Sequence, residues 1–192
     1  MSSHFFAMIS RMKNIRRWGL MQNTYEENVQ AHSHMVAVIA HALAVIGREV
    51  FSTDDDPGLA ASAALYHDAS EIFTGDLPTP VKYLNPQIKK AYKEVERLSC
   101  ERLVSMLPEQ LKGEFRALLI DSGGARTAQL VHAADKIAAH IKCVEELKSG
   151  NGEFKKAALQ TRAAVSALDL PEADYFMEQF LPSFKLTLDE QE

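Results

Sequence analysis

The chain has 192 residues and a formal net charge of −5, with 46% hydrophobic and 24% charged residues. This length predicts one domain that buries a core without disulfides, and Cys100 and Cys143, which form no CxxC pair, are predicted to be reduced thiols of a cytoplasmic protein. No apolar run approaches the roughly 20 residues of a membrane span, and the mostly acidic surface argues against binding long nucleic acid.

The N-terminal segment is basic, because no acidic residue precedes Glu26 while Arg16 and Arg17 belong to a cluster of four cationic side chains. A mitochondrial presequence has a similar composition. Apolar residues nevertheless recur at helical spacing between Phe5 and Ile15, which favours a packed first helix. One local basic cluster suits a small anion better than a polymer.

The rest of the chain reads as helices separated by short loops. The predicted helices cover about residues 3–15, 28–47, 58–74, 85–106, 109–120, 126–149, 151–168 and 172–179. Asp56 before Pro57 is a plausible N-cap, and Gly123-Gly124 is a helix break. Without strand-like alternation, the sequence predicts an all-α fold, one compact bundle of about seven or eight helices spanning residues 1–192.

The stretch from Tyr66 to Pro80, YHDASEIFTGDLPTP, places ionisable residues in an alanine-rich helix. On a continuous helix Asp68 lies about 100° and Glu71 about 40° round from His67, so that the three share a face. Burial of unpaired carboxylates is costly, and a divalent metal is the simplest compensating partner. For an isolated His-Asp pair, a solvated polar stripe is the favoured alternative.

Two further residues support a metal site. His32 lies on the apolar stripe of its helix, where a lone histidine is more often a core residue, and Asp135 lies between apolar residues of a third helix. Two imidazoles and two carboxylates make a credible mixed site with open coordination positions. The other internal histidines are predicted to lie on the surface or to be non-ligands: His34, His41, His132 and His140.

The order His32, His67-Asp68 and Asp135 on three helices resembles the HD-domain metal-dependent phosphohydrolase superfamily. The segments RRWGLM, NVQAHSH, YHDASEIFTGDLPTPVKY, DYFME and LPSFKLTLDE are similar to those of the bacterial 5′-deoxynucleotidases, over nearly the whole chain. The resemblance implies a single HD domain in a homodimer that hydrolyses deoxyribonucleoside 5′-monophosphates to deoxyribonucleosides and phosphate. It also implies a divalent cation, cobalt or manganese in the first place, with zinc, magnesium, nickel or iron as alternatives.

The same resemblance assigns roles to individual residues. The implied metal ligands are His32, His67, Asp68 and Asp135. Arg17 orients the phosphate beside Trp18, Glu71 takes the place of a catalytically required carboxylate, and Asp68 is both ligand and catalytic group. The implied substrate contacts are Arg17, Trp18, His32, Asp68, Asp135 and the sugar-side residues Asp76, Leu77, Pro78 and Thr79.

One position departs from the family pattern, since Ala31 stands where a glutamate commonly precedes the first ligand histidine. This change is expected to affect the orientation of His32 or the metal preference, but not the reaction class.

Two alternatives to a deoxynucleotidase stay open. Another HD-type nucleotide phosphohydrolase would act on triphosphates or cyclic dinucleotides, although the modest basic cluster fits a monophosphate better. The loop over residues 74–84, TGDLPTPVKYL, is restricted by two prolines and is predicted to hold a defined shape. A non-catalytic, metal-bound nucleotide sensor would keep the metal ligands, but it has no need for Arg17, Glu71 and this loop together.

Overall fold

The structure, a computed structural model, describes residues 2–82 and 85–191, and only the backbone of residues 79 and 80. These ranges contain α-helices and no β-strand, apart from an isolated antiparallel bridge between Arg16 and Asn28, and the predicted all-α class is confirmed. The α-helices are α1 (Phe5–Ile9), α2 (Val29–Phe51), α3 (Pro57–Tyr66), α4 (Glu71–Thr74), α5 (Thr79–Lys82), α6 (Pro86–Ser105), α7 (Glu109–Leu119), α8 (Ala125–Lys148), α9 (Lys155–Ser166) and α10 (Pro171–Gln179). Eight of them have five or more residues, in agreement with the predicted number.

The main core lies where α2 and α8 cross the short helices α3 and α10. Ala60 and Ala64 of α3 are fully buried, and their small side chains let α3 lie close against α2. A second core joins α1 to α6 and α7, where the Phe5 and Phe115 rings meet edge to face at 4.9 Å. The two cores together surround the C-terminal end of α3. That the chain forms one domain stays a prediction.

The predicted helix ends agree with the structure where local backbone chemistry determines them. Asp56 Oδ1 accepts hydrogen bonds from the backbone N–H groups of Gly58 and Leu59 at 2.8 and 3.0 Å, as an N-cap does. Gly123 and Gly124 both have positive φ angles and precede α8 directly. Both cysteines are free and buried, and burial raises the pKa of each thiol to about 11.

The N-terminal prediction needs a correction. The predicted helix over residues 3–15 is α-helical only from Phe5 to Ile9 and continues as a 3₁₀ helix, Ser10–Asn14. Phe5 and Met12 are buried, whereas the Phe6 side chain is 60% exposed. The segment therefore packs against the rest of the chain as predicted, but it buries fewer of its apolar side chains than expected.

The prediction of one continuous helix over residues 58–74 is wrong. Helix α3 ends at Tyr66, and residues 67–70 form a turn before α4. The His67 ring explains the interruption: its Nδ1 lies 2.7 Å from the Ala64 carbonyl oxygen, and this oxygen would otherwise accept the backbone N–H of Asp68. Hydrogen bonds from Ala69 N to Tyr66 O and from Glu71 N to Asp68 O tighten the turn. The angles expected for Asp68 and Glu71 on a regular helix therefore do not apply.

Helix α2 is long and apolar enough to cross a membrane by length and composition, with a mean hydropathy of 1.5 over an 18-residue window, although histidines interrupt its apolar runs. In the structure α2 instead contacts α3, α8 and α10, and its buried stripe includes His32. A core helix of a helical bundle satisfies the same test of length and composition.

A buried ion-pair cluster ties the loop before α3 to the first turns of α8 and α10. Arg126 donates from Nε to Asp55 Oδ1 at 2.8 Å and from Nη2 to Glu172 Oε1, and both carboxylates are buried. The cluster closes over Gly47, where an added Cβ would lie 2.5 Å from Asp55 Oδ2.

Replacing Arg126 with alanine is expected to lower the free energy of unfolding by about 2–3 kcal/mol, because two buried carboxylates lose their cation. This figure lies below that for a fully buried pair because Arg126 is itself partly exposed. Urea denaturation at neutral pH measures the effect. The control is Arg116→Ala, since the Arg116 guanidinium lies 3.6 Å from a Glu101 carboxylate at an exposed position. Equal losses in the two variants would contradict the prediction.

Candidate active site

The four predicted metal ligands converge at the junction of α2, α3 and α8. One ligand atom from each of His32, His67 and Asp135 lies within 4.8 Å of the other two. Asp68 completes the group, because its Oδ2 is 3.1 Å from His67 Nε2 and 3.7 Å from His32 Nε2. Residues 103 positions apart in the chain thus meet at one point.

The hydrogen bonding of His67 leaves its second ring nitrogen available to bind a cation. His67 Nδ1 donates its proton to the Ala64 carbonyl oxygen, which leaves the lone pair on Nε2. Nε2 is buried and lies close to Asp68 Oδ2, yet it makes no hydrogen bond to any described residue. A lone pair facing a carboxylate is repulsive unless a proton or a metal ion lies between them.

The electrostatics of the cluster agree with binding of a cation. Burial lowers the pKa of His67, but Asp68, Asp135 and the Ala64 carbonyl oxygen together raise it by more, so that the net shift is upward. Burial raises the pKa of Asp68 and Asp135. His67 and His32 outweigh it, together with Arg17 at Asp68 and Lys136 at Asp135, and hold both pKa values below the usual range. Both carboxylates are therefore ionised at neutral pH. A metal ion would compete with a proton for the lone pair of His67 Nε2.

His32 and Asp135 form the opposite side of the cluster. His32 is fully buried, and its Nε2 is 3.1 Å from Asp135 Oδ1. Asp135 Oδ2 accepts a hydrogen bond from Lys136 Nζ at 2.8 Å. The residues present thus fit a divalent metal ion, with two imidazole nitrogens and two carboxylate oxygens as donors.

Arg17 lies beside the cluster, and Trp18 is connected to Arg17 through Glu27. Arg17 Nη1 donates to Asp68 Oδ2 at 3.3 Å. Glu27, which the sequence analysis missed, accepts hydrogen bonds at a single oxygen, Oε2, from Arg17 Nε at 3.0 Å and from Trp18 Nε1 at 3.1 Å. The only available sequence signal was an acidic pair, Glu26-Glu27, directly before the N-cap of α2.

Two further carboxyl groups adjoin the cluster. Glu71 is 5% exposed, and burial together with the charges of Asp68 and Asp76 raises its pKa to about 9. Its Oε2 has no hydrogen-bond partner among the described residues. Burial also raises the pKa of Asp76, which interacts electrostatically with Arg17 and Asp68. Glu71 is thus a neutral acid near pH 7, close to charged groups.

The loop after α4 is partly described. Asp76, Leu77 and Pro78 are half-buried, whereas the side chain of Thr79 lies outside the described residues. Residues 79–82 form the helical turn α5, which the sequence did not predict, and Lys82 Nζ is 2.7 Å from Glu96 Oε1 on α6. Of the predicted stretch 74–84, residues 83 and 84 lie outside the described ranges.

The remaining histidines lie elsewhere, as predicted. His34, His41 and His132 are exposed. His140 is buried, and its Nδ1 is 2.9 Å from the Thr161 hydroxyl on α9.

Comparison with solved structures places the fold in a known class. An HD-domain phosphohydrolase of Listeria innocua is similar with a TM-score of 0.81 and 24% sequence identity, covering 98% of this chain and 91% of that chain. A cyanophage S-2L HD phosphohydrolase, described as bound to dA and one catalytic Zn²⁺, has a TM-score of 0.64 and 23% identity, covering 94% of this chain and 96% of that one. The fold is thus that of the HD-domain phosphohydrolases, as predicted.

Sequence comparison identifies the family. The family model described as 5′-deoxynucleotidase YfbR-like matches residues 4–184. A 5′-deoxynucleotidase of Vibrio vulnificus is 48% identical over 189 residues, which cover 98% of this chain and 97% of the relative. A 5′-deoxynucleotidase of Yersinia pestis is 47% identical, with 98% and 96% covered. The chain belongs to the 5′-deoxynucleotidase YfbR-like family, and its predicted class, a phosphoric monoester hydrolase, is confirmed.

Proposed function

We propose that this protein hydrolyses deoxyribonucleoside 5′-monophosphates to deoxyribonucleosides and phosphate, with a divalent metal ion bound by His32, His67, Asp68 and Asp135. The observation that carries the proposal is the buried, unpartnered Nε2 of His67 facing Asp68, with Arg17 bound to the same carboxylate. An anion-binding guanidinium beside a metal-binding cluster suits one phosphate group.

Each side chain then has a defined task. When bound, the metal ion supplies a water of lowered pKa and polarises a phosphoryl oxygen. Asp68 and Asp135 orient the attacking water, and Arg17 binds the phosphoryl oxygens on which negative charge develops. Glu71, whose pKa in metal-free protein is raised by burial and by the nearby carboxylates, donates a proton to the departing 5′-oxygen.

The sugar side of the pocket comprises Trp18 and the segment from Asp76 to Thr79. Asp76 accepts a hydrogen bond from a sugar hydroxyl, and packing around Trp18 excludes a 2′-hydroxyl. Of the possible metals, cobalt and manganese are proposed first, with zinc, magnesium, nickel and iron as alternatives. We place the enzyme in the cytoplasm and propose that it is a homodimer. Light scattering, which measures the molar mass in solution, would test the dimer.

A phosphate-release screen tests the proposed function. Chelator-treated protein is reloaded with each of the six metals and assayed on deoxy and ribo monophosphates, nucleoside triphosphates and cyclic dinucleotides. We expect metal-dependent release from deoxyribonucleoside monophosphates above all others. Preference for triphosphates or cyclic dinucleotides would assign another HD-type reaction. Nucleotide binding without hydrolysis under any metal would make the protein a sensor.

Replacing Asp76 with alanine is expected to lower the preference for deoxy over ribo monophosphates by roughly 10-fold or more, because the pocket loses a polar contact to the sugar. The ratio of kcat/KM values for a matched deoxy and ribo pair measures this. The control is Asp54→Ala, which removes an exposed aspartate from the segment between α2 and α3. An unchanged ratio in Asp76→Ala would refute the proposed contact.

A further inference from the structure

We propose that Glu27 is a positioning residue that orients Arg17 and Trp18 together through one carboxylate oxygen. Its effect on substrate rests on the proposed function, whereas its effect on the two side chains does not. Glu27 would thereby couple the orientation of the phosphate to the shape of the nucleoside pocket.

The contacts of Glu27 are specific and largely screened from water. Its Oε2 accepts from Arg17 Nε and Trp18 Nε1 at 3.0 and 3.1 Å, and the Glu27 and Arg17 side chains are 18% and 12% exposed. A hydrogen bond between ionised groups is roughly twice as strong as a neutral one. A single carboxylate thus determines where a guanidinium and an indole lie relative to each other.

The backbone reinforces this pairing. Arg17 N donates to the Glu27 carbonyl oxygen at 2.9 Å, next to the antiparallel bridge between Arg16 and Asn28. Asn28 is the N-cap of α2, and His32 lies one helical turn further on. Glu27 therefore connects the Arg17 segment directly to a helix that carries a proposed metal ligand.

The backbone of Trp18 is strained, with a φ of 56° in the left-handed region that a bulky residue seldom adopts. Such a conformation persists only when surrounding contacts stabilise it. Here the Trp18 carbonyl oxygen accepts from Met21 N and Asn23 Nδ2, while the indole N–H is bound by Glu27. Glu27 holds the polar edge of the indole, which also packs against the Phe154 ring at 5.4 Å.

Glu27 also opposes the attraction of Arg17 to Asp68. Arg17 donates from Nε to Glu27 and from Nη1 to Asp68, while its Nη2 makes no hydrogen bond to any described residue. Nη2 is therefore the donor left for a phosphate oxygen. Without Glu27, the guanidinium is free to rotate and form a two-pronged pair with Asp68, which removes that donor.

The first test needs neither metal nor substrate. Trp18 is the only tryptophan of the chain, so that its fluorescence reports on this site alone. We expect Glu27→Ala to increase acrylamide quenching of Trp18 by about twofold or more because the indole loses its anchor, with Glu27→Gln, which keeps an acceptor oxygen, in between. The matched control is Glu26→Ala, since Glu26 pairs with exposed Arg16 at the surface. Quenching in Glu27→Ala equal to that of the control would overturn the proposal.

The second test is kinetic. We expect Glu27→Ala to lower kcat/KM for a deoxyribonucleoside monophosphate roughly 10- to 100-fold at unchanged metal content, with Glu27→Gln recovering part of the loss. In an Arg17→Ala background the same substitution is expected to cost less than about 3-fold, because residues that act as a unit are not additive. A full, additive loss in that background would overturn a role through Arg17. Wild-type protein inactive on all monophosphates would reject the proposed function, while the quenching result would still decide the role of Glu27.

Discussion

Replacement of His67 by glutamine is expected to abolish metal binding and to lower kcat/KM by more than about 100-fold. Removing a residue that only supports a metal ligand typically lowers metal affinity or activity by about 10- to 100-fold, and loss of a ligand itself is expected to lower them further. His67 Nε2 is buried against Asp68, and its Nδ1 is already bound to the Ala64 carbonyl oxygen, so that no other nitrogen can take its place.

Metal content measured by mass spectrometry, together with phosphate release, checks this expectation. His41→Gln is the matched control, since His41 is an exposed histidine of α2 with no contact to the cluster. Wild-type levels of metal and activity in His67→Gln would remove His67 from the proposed ligands.

Replacement of Glu71 by glutamine is expected to lower kcat about 10²- to 10⁴-fold with little change in metal content, because a positioned proton donor is lost while the ligands remain. The exposed Glu114 on α7 provides the control, Glu114→Gln. A loss of metal that parallels the loss of rate would instead indicate that Glu71 supports the metal ligands.

The same variant has a second expected effect in metal-free protein. The folded-state pKa of Glu71 is about 9, well above the ordinary value of 4.5, because burial and nearby carboxylates disfavour its charge. Between these values the folded chain binds more protons than the unfolded chain, so the contribution of Glu71 to stability falls as pH rises from about 5 to 9. Glu71→Gln lacks this pH-dependent contribution. Its free energy of unfolding, relative to that of wild type, should therefore increase as pH rises.

Denaturant unfolding of both proteins in chelator at pH 5, 7 and 9 measures this difference. The other ionisable groups of the cluster are common to both proteins, so that their own pH dependence largely cancels. A stability difference that does not vary with pH would show that the Glu71 carboxyl titrates normally in the folded chain.

Local chemistry explains what was predictable from sequence. The starts of α3 and α8 follow from an aspartate N-cap before a proline and from a glycine pair, both of which act within a few residues. The proposed ligands could be named because apolar helical stripes make a buried histidine or aspartate conspicuous. The resemblance of the whole chain then gave the family and the reaction class.

The turn at residues 67–70 was not predictable in this way. It depends on a bond from the His67 ring to the Ala64 carbonyl oxygen, and many histidines at helix positions make no such bond. Glu27 was missed for a related reason. An acidic pair at the surface end of a loop has an ordinary appearance until the chain folds and brings its oxygen within 3.1 Å of both Arg17 and Trp18.

The sequence by itself thus determined the helical class, most helix ends and the residues capable of binding a metal, because these depend on side-chain type and short spacings. Only the tertiary structure decided that His67 Nε2 faces Asp68, that His32 meets Asp135 and that Glu27 joins Arg17 to Trp18. The first depends on the turn at residues 67–70, the second on the packing of α2 against α8, and the third on the backbone pairing of Arg17 with Glu27.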